Sequence, residues 1–234
     1  MIIYRYINES ENDVYEYSGF VDGKNISFGL DDIKKWVEYC VKLLNKKFPT
    51  SIGVMLSRKP IVFTRMVEAM ATDGINIFVN PDFVADMFLG RYPNIKPGFK
   101  DGDTLNMIMY VLCHEVLHIM FRHPYEEKND HNITDHNKAN VSQDCVINLY
   151  IEHILAAVFP EFKGMNEFLG LVYDTNYKDM AWKDIYKKLP DDYPFLLAKE
   201  KIKHSAEWER GFLDGYQRAL DIMRDDKLIE RCVL

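Results

Sequence analysis

The chain has no C-x-x-C pair, no basic block, no low-complexity stretch and no internal repeat. No apolar run approaches the ~20 residues a membrane span needs. Each absence excludes something. Cys40, Cys113 and Cys145 stand in apolar helical patterns, where a free thiol acts as a small hydrophobe; with Cys232, they form no paired metal-binding or redox motif. The formal charge is −7, from 36 acidic and 29 basic residues. Phosphate-backbone binding draws on counterion release at a concentrated positive surface, so nucleic acid is not an expected partner. Met1–Ile7 mixes polar and apolar residues, unlike a signal peptide. The expected compartment is therefore the cytosol, bacterial or that of a host cell, with no membrane partner.

What is present suits one α+β domain. The 234 residues are 47% hydrophobic and 28% charged, and a chain of that size buries roughly 70% of its extended surface on folding. Residues 1–30 read as strands in a small antiparallel sheet: Ile2–Ile7, Val14–Tyr17 and Ile26–Phe28, with Asp22-Gly23 as a turn. Ile33, Trp36, Val37, Cys40, Val41 and Leu44 recur at helical spacing, which predicts an amphipathic helix over 30–46. Ile52–Met55, Pro60–Phe63 and Ile75–Val79 read as strands. A short helix is expected after Asn80-Pro81.

A long helix is predicted from Thr104 to Arg122, with Asp103 as its N-cap and Pro124 beyond its end. Its apolar residues run nearly all the way round, which places it in the middle of the fold. Residues 126–137 read as a polar loop, 141–159 as a second helix, and 162–177 as a loop. Residues 182–189 and 207–225 look helical.

The chemistry is concentrated in His114-Glu115-Val116-Leu117-His118. Four residues make about one helical turn, so both imidazoles leave the same face and can meet one ion. Glu115 points one position along. There it can take a proton from a water that zinc has acidified. Two histidines and a glutamate are costly to bury in so apolar a helix unless something satisfies them.

A third ligand must come from elsewhere. Asn140, Asp144 and Asn148 are spaced four apart, a polar stripe on the next predicted helix. Asp144 is the preferred ligand, and Asn140 and Asn148 are candidates to hold ligands in place. His136 is the main rival. Asp130, His131 and Asp135 share its loop, and Glu152 and Glu161 are alternative carboxylates. His123 follows His118 by five residues, which on a continuous helix turns it off the ligand face. His153 and His204 have no supporting spacing. Tyr125, Tyr173 and Tyr177 are candidates to stabilise an oxyanion. The strand Ile75–Val79 is either a cleft wall that pairs with an extended peptide or an internal core strand.

These residues carry a resemblance. The chain is similar to a metallopeptidase-like domain family of bacterial and phage proteins, which often stands before a von Willebrand A-like domain. The shared blocks are Ala71-Thr72-Asp73-Gly74, Asn80-Pro81-Asp82-Phe83, the His114–His118 motif, the run from Asn140 to Asn148, Tyr177, and Asp184-Ile185-Tyr186. They span roughly residues 35–190. The resemblance implies a minimal zincin-like fold, a small sheet on a central metal helix. It implies Zn2+ held by His114, His118 and Asp144, with Glu115 as general base and a peptide or protein as substrate. Ala139 stands where the family usually has tryptophan, and the loop at 126–138 is longer than usual. Residues 1–30 and 191–234 read as strand-rich and helical extensions. A short stand-alone form of this kind fits a phage or mobile-element protein. The expected function is zinc-dependent peptide hydrolysis; the alternative is a non-catalytic metal-binding interaction or regulatory protein.

Overall fold

The computed structural model describes residues 4–6, 15–91, 103–169, 171–172 and 174–190; the helix expected at 207–225 lies outside them. The N-terminal strands part company. β1 (Tyr4–Tyr6) pairs in parallel with β4 (Ile61–Phe63), while β2 (Glu16–Val21) and β3 (Lys24–Gly29) form a separate antiparallel hairpin about the Asp22-Gly23 turn. Val21 and Phe28 nevertheless reach the main core.

Helix α1 (Leu30–Lys47) follows at once. The Gly29 N–H donates to Asp32 Oδ2 at 3.2 Å, satisfying one of the amides a helix start leaves open. Ile33, Val37, Cys40, Val41 and Leu44 form its buried stripe.

Ile52–Met55 is not a strand. It opens helix α2 (Ile52–Arg58), with Ile52 and Leu56 buried one turn apart. A short apolar run fits either element, and tertiary packing decides it here. Gly53 lets the helix lie against the end of α1: a Cβ there would stand 2.8 Å from the Phe48 carbonyl and 2.9 Å from Asn45 Cα.

The main sheet has the order β1-β4-β6-β5, with β5 (Met70–Thr72) and β6 (Ile77–Val79) antiparallel. β6 lies between β4 and β5 and is wholly buried, so of the two readings for Ile75–Val79, the internal strand holds. β5 forms the edge. Helix α3 (Pro81–Phe88) starts as the sequence predicts: Asn80 Oδ1 accepts the Asp82 N–H at 2.8 Å, with Pro81 in the first turn.

Helix α4 (Asp103–Met120) is the centre of the fold. It packs on α1, α2, β5 and α6 (His136–His153). From Met107 to Leu117 nearly every apolar side chain is buried. That is the solution for a helix apolar all round: protein on every side except where the polar groups emerge. Among the described residues, no single helix is long and apolar enough to cross a membrane.

The segment after α4 departs from expectation. α4 ends at Met120, before Pro124, and the expected loop contains α5 (His123–Asn129), with Pro124 in its first turn. Arg122 joins the two in a left-handed conformation, φ 59° and ψ 27°. Helix α6 starts earlier than 141, at His136, where Asp135 caps it through the Lys138 N–H at 3.0 Å. It ends at His153; residues 155–157 and 160–162 are 3-10 turns, and α7 (Met165–Leu169) interrupts the loop expected there. Helix α8 (Trp182–Lys188) packs on α6 through Ile185, Cys145 and Leu149. The Tyr186 hydroxyl accepts the Thr134 and Asp135 amides, tying α8 to the start of α6.

Candidate metal centre

Helices α4 and α6 cross so that His114, His118 and Asp144 converge. His118 Nε2 lies 3.0 Å from His114 Nε2 and 3.1 Å from Asp144 Oδ1. His114 Nε2 lies 3.3 Å from the same oxygen. The donor set fits a metal ion by shape as well as type. A tetrahedron of ligands about 2.0–2.1 Å from zinc has edges of roughly 3.3–3.4 Å, and this triangle needs only slight opening to match. Among the described residues, this is the cluster of His, Cys, Asp and Glu able to hold a metal. His136 does not join it.

Each group is supported from behind. The Asn140 amide donates to Asp144 Oδ2 at 3.2 Å. Asn148 Oδ1 faces His114 Nδ1 at 3.0 Å. The orientation of that amide is fixed because its Nδ2 donates to the Val172 carbonyl at 2.8 Å. The Tyr110 hydroxyl bridges Asn148 Oδ1 and Asn166 Oδ1, and Asn166 Nδ2 returns to the Asn148 carbonyl. All three of these side chains are buried. Tyr110 and Asn166 carried no signal strong enough to single them out; the clue was a hydroxyl one turn before His114 in an apolar helix.

His123 stays outside the ligand set, as the sequence reading has it, but lies directly behind one of its members. It is 1% exposed, and its Nδ1 lies 3.2 Å from His118 Nδ1. The continuous helix assumed in that reading does not hold, because α4 stops at Met120. The left-handed step at Arg122 then folds His123 back beneath His118.

The electrostatics follow from burial and these contacts. Burial would raise the Asp144 pKa, but hydrogen bonds and charge from His114 and His118 hold it well below the usual carboxylate range. Burial works against a charged His114, yet Asp144 and then Glu115 shift it upward overall. Burial pushes Glu115 up, only partly offset by the two histidines. Burial, then the nearby His118, bring His123 down to about 3.

Glu115, 8% exposed, and the three converging residues line a cleft of about 230 Å³. Its other walls come from β5 (Met70, Ala71 and Thr72), from Pro124 and Glu127 in α5, and from His136, Asn137, Asn140 and Gln143 in α6. His136 thus reaches the cleft while its Nδ1 pairs with Glu127 Oε1 at 2.6 Å; Gln143 donates to the other Glu127 oxygen at 3.1 Å.

The remaining candidates are engaged elsewhere. Asp130 accepts from Lys183 Nζ at 2.9 Å. Glu152 accepts the Gly164 amide. His131, His153 and Glu161 are exposed. Tyr177 packs with the Cys145–Ile185 cluster, and Tyr125 is exposed beneath the Arg122 guanidinium. Neither tyrosine lines the cleft; Tyr173 and His204 lie outside the described residues. No family model, curated protein or solved structure matches the chain.

Proposed function

We propose that the protein is a zinc-dependent peptidase in which His114, His118 and Asp144 hold the ion and Glu115 is the general base. The convergence of three ligand atoms from two helices, beside a buried glutamate at the floor of an open cleft, carries this reading. Zinc bound there would acidify a water and polarise a substrate carbonyl.

The chain's own residues supply the rest. Burial leaves the Glu115 carboxylate poorly solvated, which makes it a stronger base than a surface glutamate. It takes a proton from the attacking water and delivers it to the leaving amine. Asn148 and Asn140 fix the orientation of His114 and Asp144, so the reacting groups need little rearrangement.

The edge strand supports a peptide as substrate. The Asn80 N–H donates to the Ala69 carbonyl, and the register sets Ala71 opposite Phe78. In an antiparallel pair, bonding alternates, so the backbone groups of Met70 and Thr72 face away from β6. An extended peptide can add there as a further strand along the cleft. The family resemblance agrees with this reading.

The test compares zinc-loaded wild type with Glu115→Gln, measuring metal content and cleavage of a mixed peptide library by mass spectrometry. Both should hold one zinc per chain, and the variant should lose roughly 10²–10⁴-fold in rate. Equal activity in both would remove Glu115 from the chemistry. A loaded wild type that cleaves nothing would leave a non-catalytic metal-binding protein.

A further inference from the structure

We infer that His123 is a positioning residue of the metal centre: its imidazole accepts a hydrogen bond at Nδ1 from the protonated Nδ1 of His118, which leaves His118 Nε2 free to ligate. The inference rests on the zinc reading above and concerns a residue outside the ligand set.

The geometry carries it. His118 Nε2 points at Asp144 and His114, so Nε2 is its ligating atom and Nδ1 must carry the proton. The atom 3.2 Å behind that Nδ1 is His123 Nδ1. Two nitrogens at this distance share one proton, so His123 Nδ1 is the acceptor and its own proton sits on Nε2. The surroundings hold it neutral. His123 is almost fully buried, with the Phe121 and Trp182 rings at 5.7 and 5.9 Å. A charged imidazole there would lose its hydration and present a proton to His118 instead of accepting one.

The arrangement parallels that of the other ligand by different means. The Asn148 amide, clamped by Val172, offers His114 Nδ1 an oxygen. His123 offers His118 a nitrogen, brought into place by the left-handed Arg122. Outer partners of this kind fix both the tautomer and the ring plane of a metal-binding histidine.

The experiment measures zinc affinity, by competition with a chromophoric chelator, for wild type, His123→Phe and His123→Asn. Phenylalanine keeps the ring and removes the acceptor; asparagine places an oxygen near the lost Nδ1. The phenylalanine variant should bind roughly 10–100-fold more weakly, and the asparagine variant close to wild type. Nitrogen NMR of the histidine-labelled, zinc-loaded wild type reads the same bond without any substitution: His118 protonated on Nδ1, His123 protonated on Nε2, and a coupling across the shared proton. It decides the matter if a variant does not fold. A phenylalanine variant that binds as tightly as wild type, an asparagine variant as weak as phenylalanine, or a His123 protonated on Nδ1 would each overturn the role of His123. A wild type that takes up no zinc would overturn the zinc reading itself, and this inference with it.

Discussion

Asp82 and Asp144 are both aspartates surrounded by donors, and they sit on opposite sides of one distinction. Asp82 receives Arg65 Nε at 2.9 Å, a second guanidinium nitrogen at 3.1 Å, and the Tyr17 hydroxyl at 2.6 Å. Its charge is met by a cation that never deprotonates. Asp144 faces two imidazoles and the Asn140 amide. Imidazoles balance a carboxylate only by taking up a proton, or jointly by sharing a metal ion. The first cluster is complete as a piece of structure. The second can be balanced by protons or by a shared metal ion, which supports reading it as a candidate site. The Arg65–Asp82 pair also lies nearer the surface, its side chains 31% and 42% exposed, against 9–22% for the His118–Asp144 pair.

The comparison breaks most visibly by removing each carboxylate in turn. Asp144→Asn should abolish stoichiometric zinc uptake at micromolar metal. Its effect should exceed the roughly 10–100-fold loss expected of an outer partner, because it deletes a ligand and the negative charge that draws the ion. Asp82→Asn should leave zinc affinity unchanged. Calorimetric titration of both variants checks this; equal affinity in Asp144→Asn and wild type would remove Asp144 from the ligand set.

The second contrast is in pH. Without zinc, His114 has a raised pKa, so its contribution to stability is full below the unfolded value near 6.5 and is lost as pH rises through the folded value. Glu115, also raised, falls off in the same direction. His123, held down to about 3, has the opposite sign. Buried neutral, it costs about 1.4 kcal/mol for each pH unit below ~6.5 that the unfolded histidine would be protonated. Asp144, held low, keeps its full contribution above the unfolded value of about 3.9 and loses it progressively as pH falls below that. Denaturant unfolding of the zinc-free chain should therefore lose stability as pH rises above about 6.5, through His114, while on the acid side Glu115 and His123 pull in opposite directions. Saturating zinc should lift the alkaline limb, since the ion competes with protons for the same histidines. His123→Asn should lose less stability than wild type as pH falls below about 6.5. A zinc-free curve that does not fall between about pH 6.5 and 8 would contradict the His114 assignment. Burial and Asp82 raise the Tyr17 pKa, and the Asp82 hydrogen bond raises that of Arg65, so neither titrates in that window.

Legibility in the sequence divides along a similar line. His114, Glu115 and His118 were readable because one helical turn fixes their relation regardless of the rest of the fold. Asp144 and its flanking Asn140 and Asn148 were readable as a polar stripe on a helix. The central helix showed itself by being apolar all round. What could not be read depended on distant partners. Nothing in Tyr4–Tyr6 announces that it pairs in parallel with Ile61–Phe63 rather than with its sequence neighbours. Ile52–Met55 became helical because Gly53 permits close contact with α1. The contact of His123 with His118 is hidden because a single arginine leaves the helical conformation without a glycine to signal it. Glu127 and Gln143 meet across two helices, and no spacing relates them.

The smallest expected effect sharpens the comparison from the structural side. Arg65→Ala removes the fixed cation, but the pair is partly exposed and water can take its place. The cost should be at most about 1 kcal/mol, seen as a small shift in the urea midpoint with an unchanged slope. Part of that loss belongs to the Tyr15 ring, which lies 4.2 Å beneath the guanidinium, so Arg65→Lys should recover only a fraction: an ammonium keeps the charge but not the paired hydrogen bonds. Zinc affinity should be identical in both variants. A change there would mean that the β2–β3 side of the molecule is coupled to the crossing of α4 and α6, and the two aspartates would no longer be independent cases.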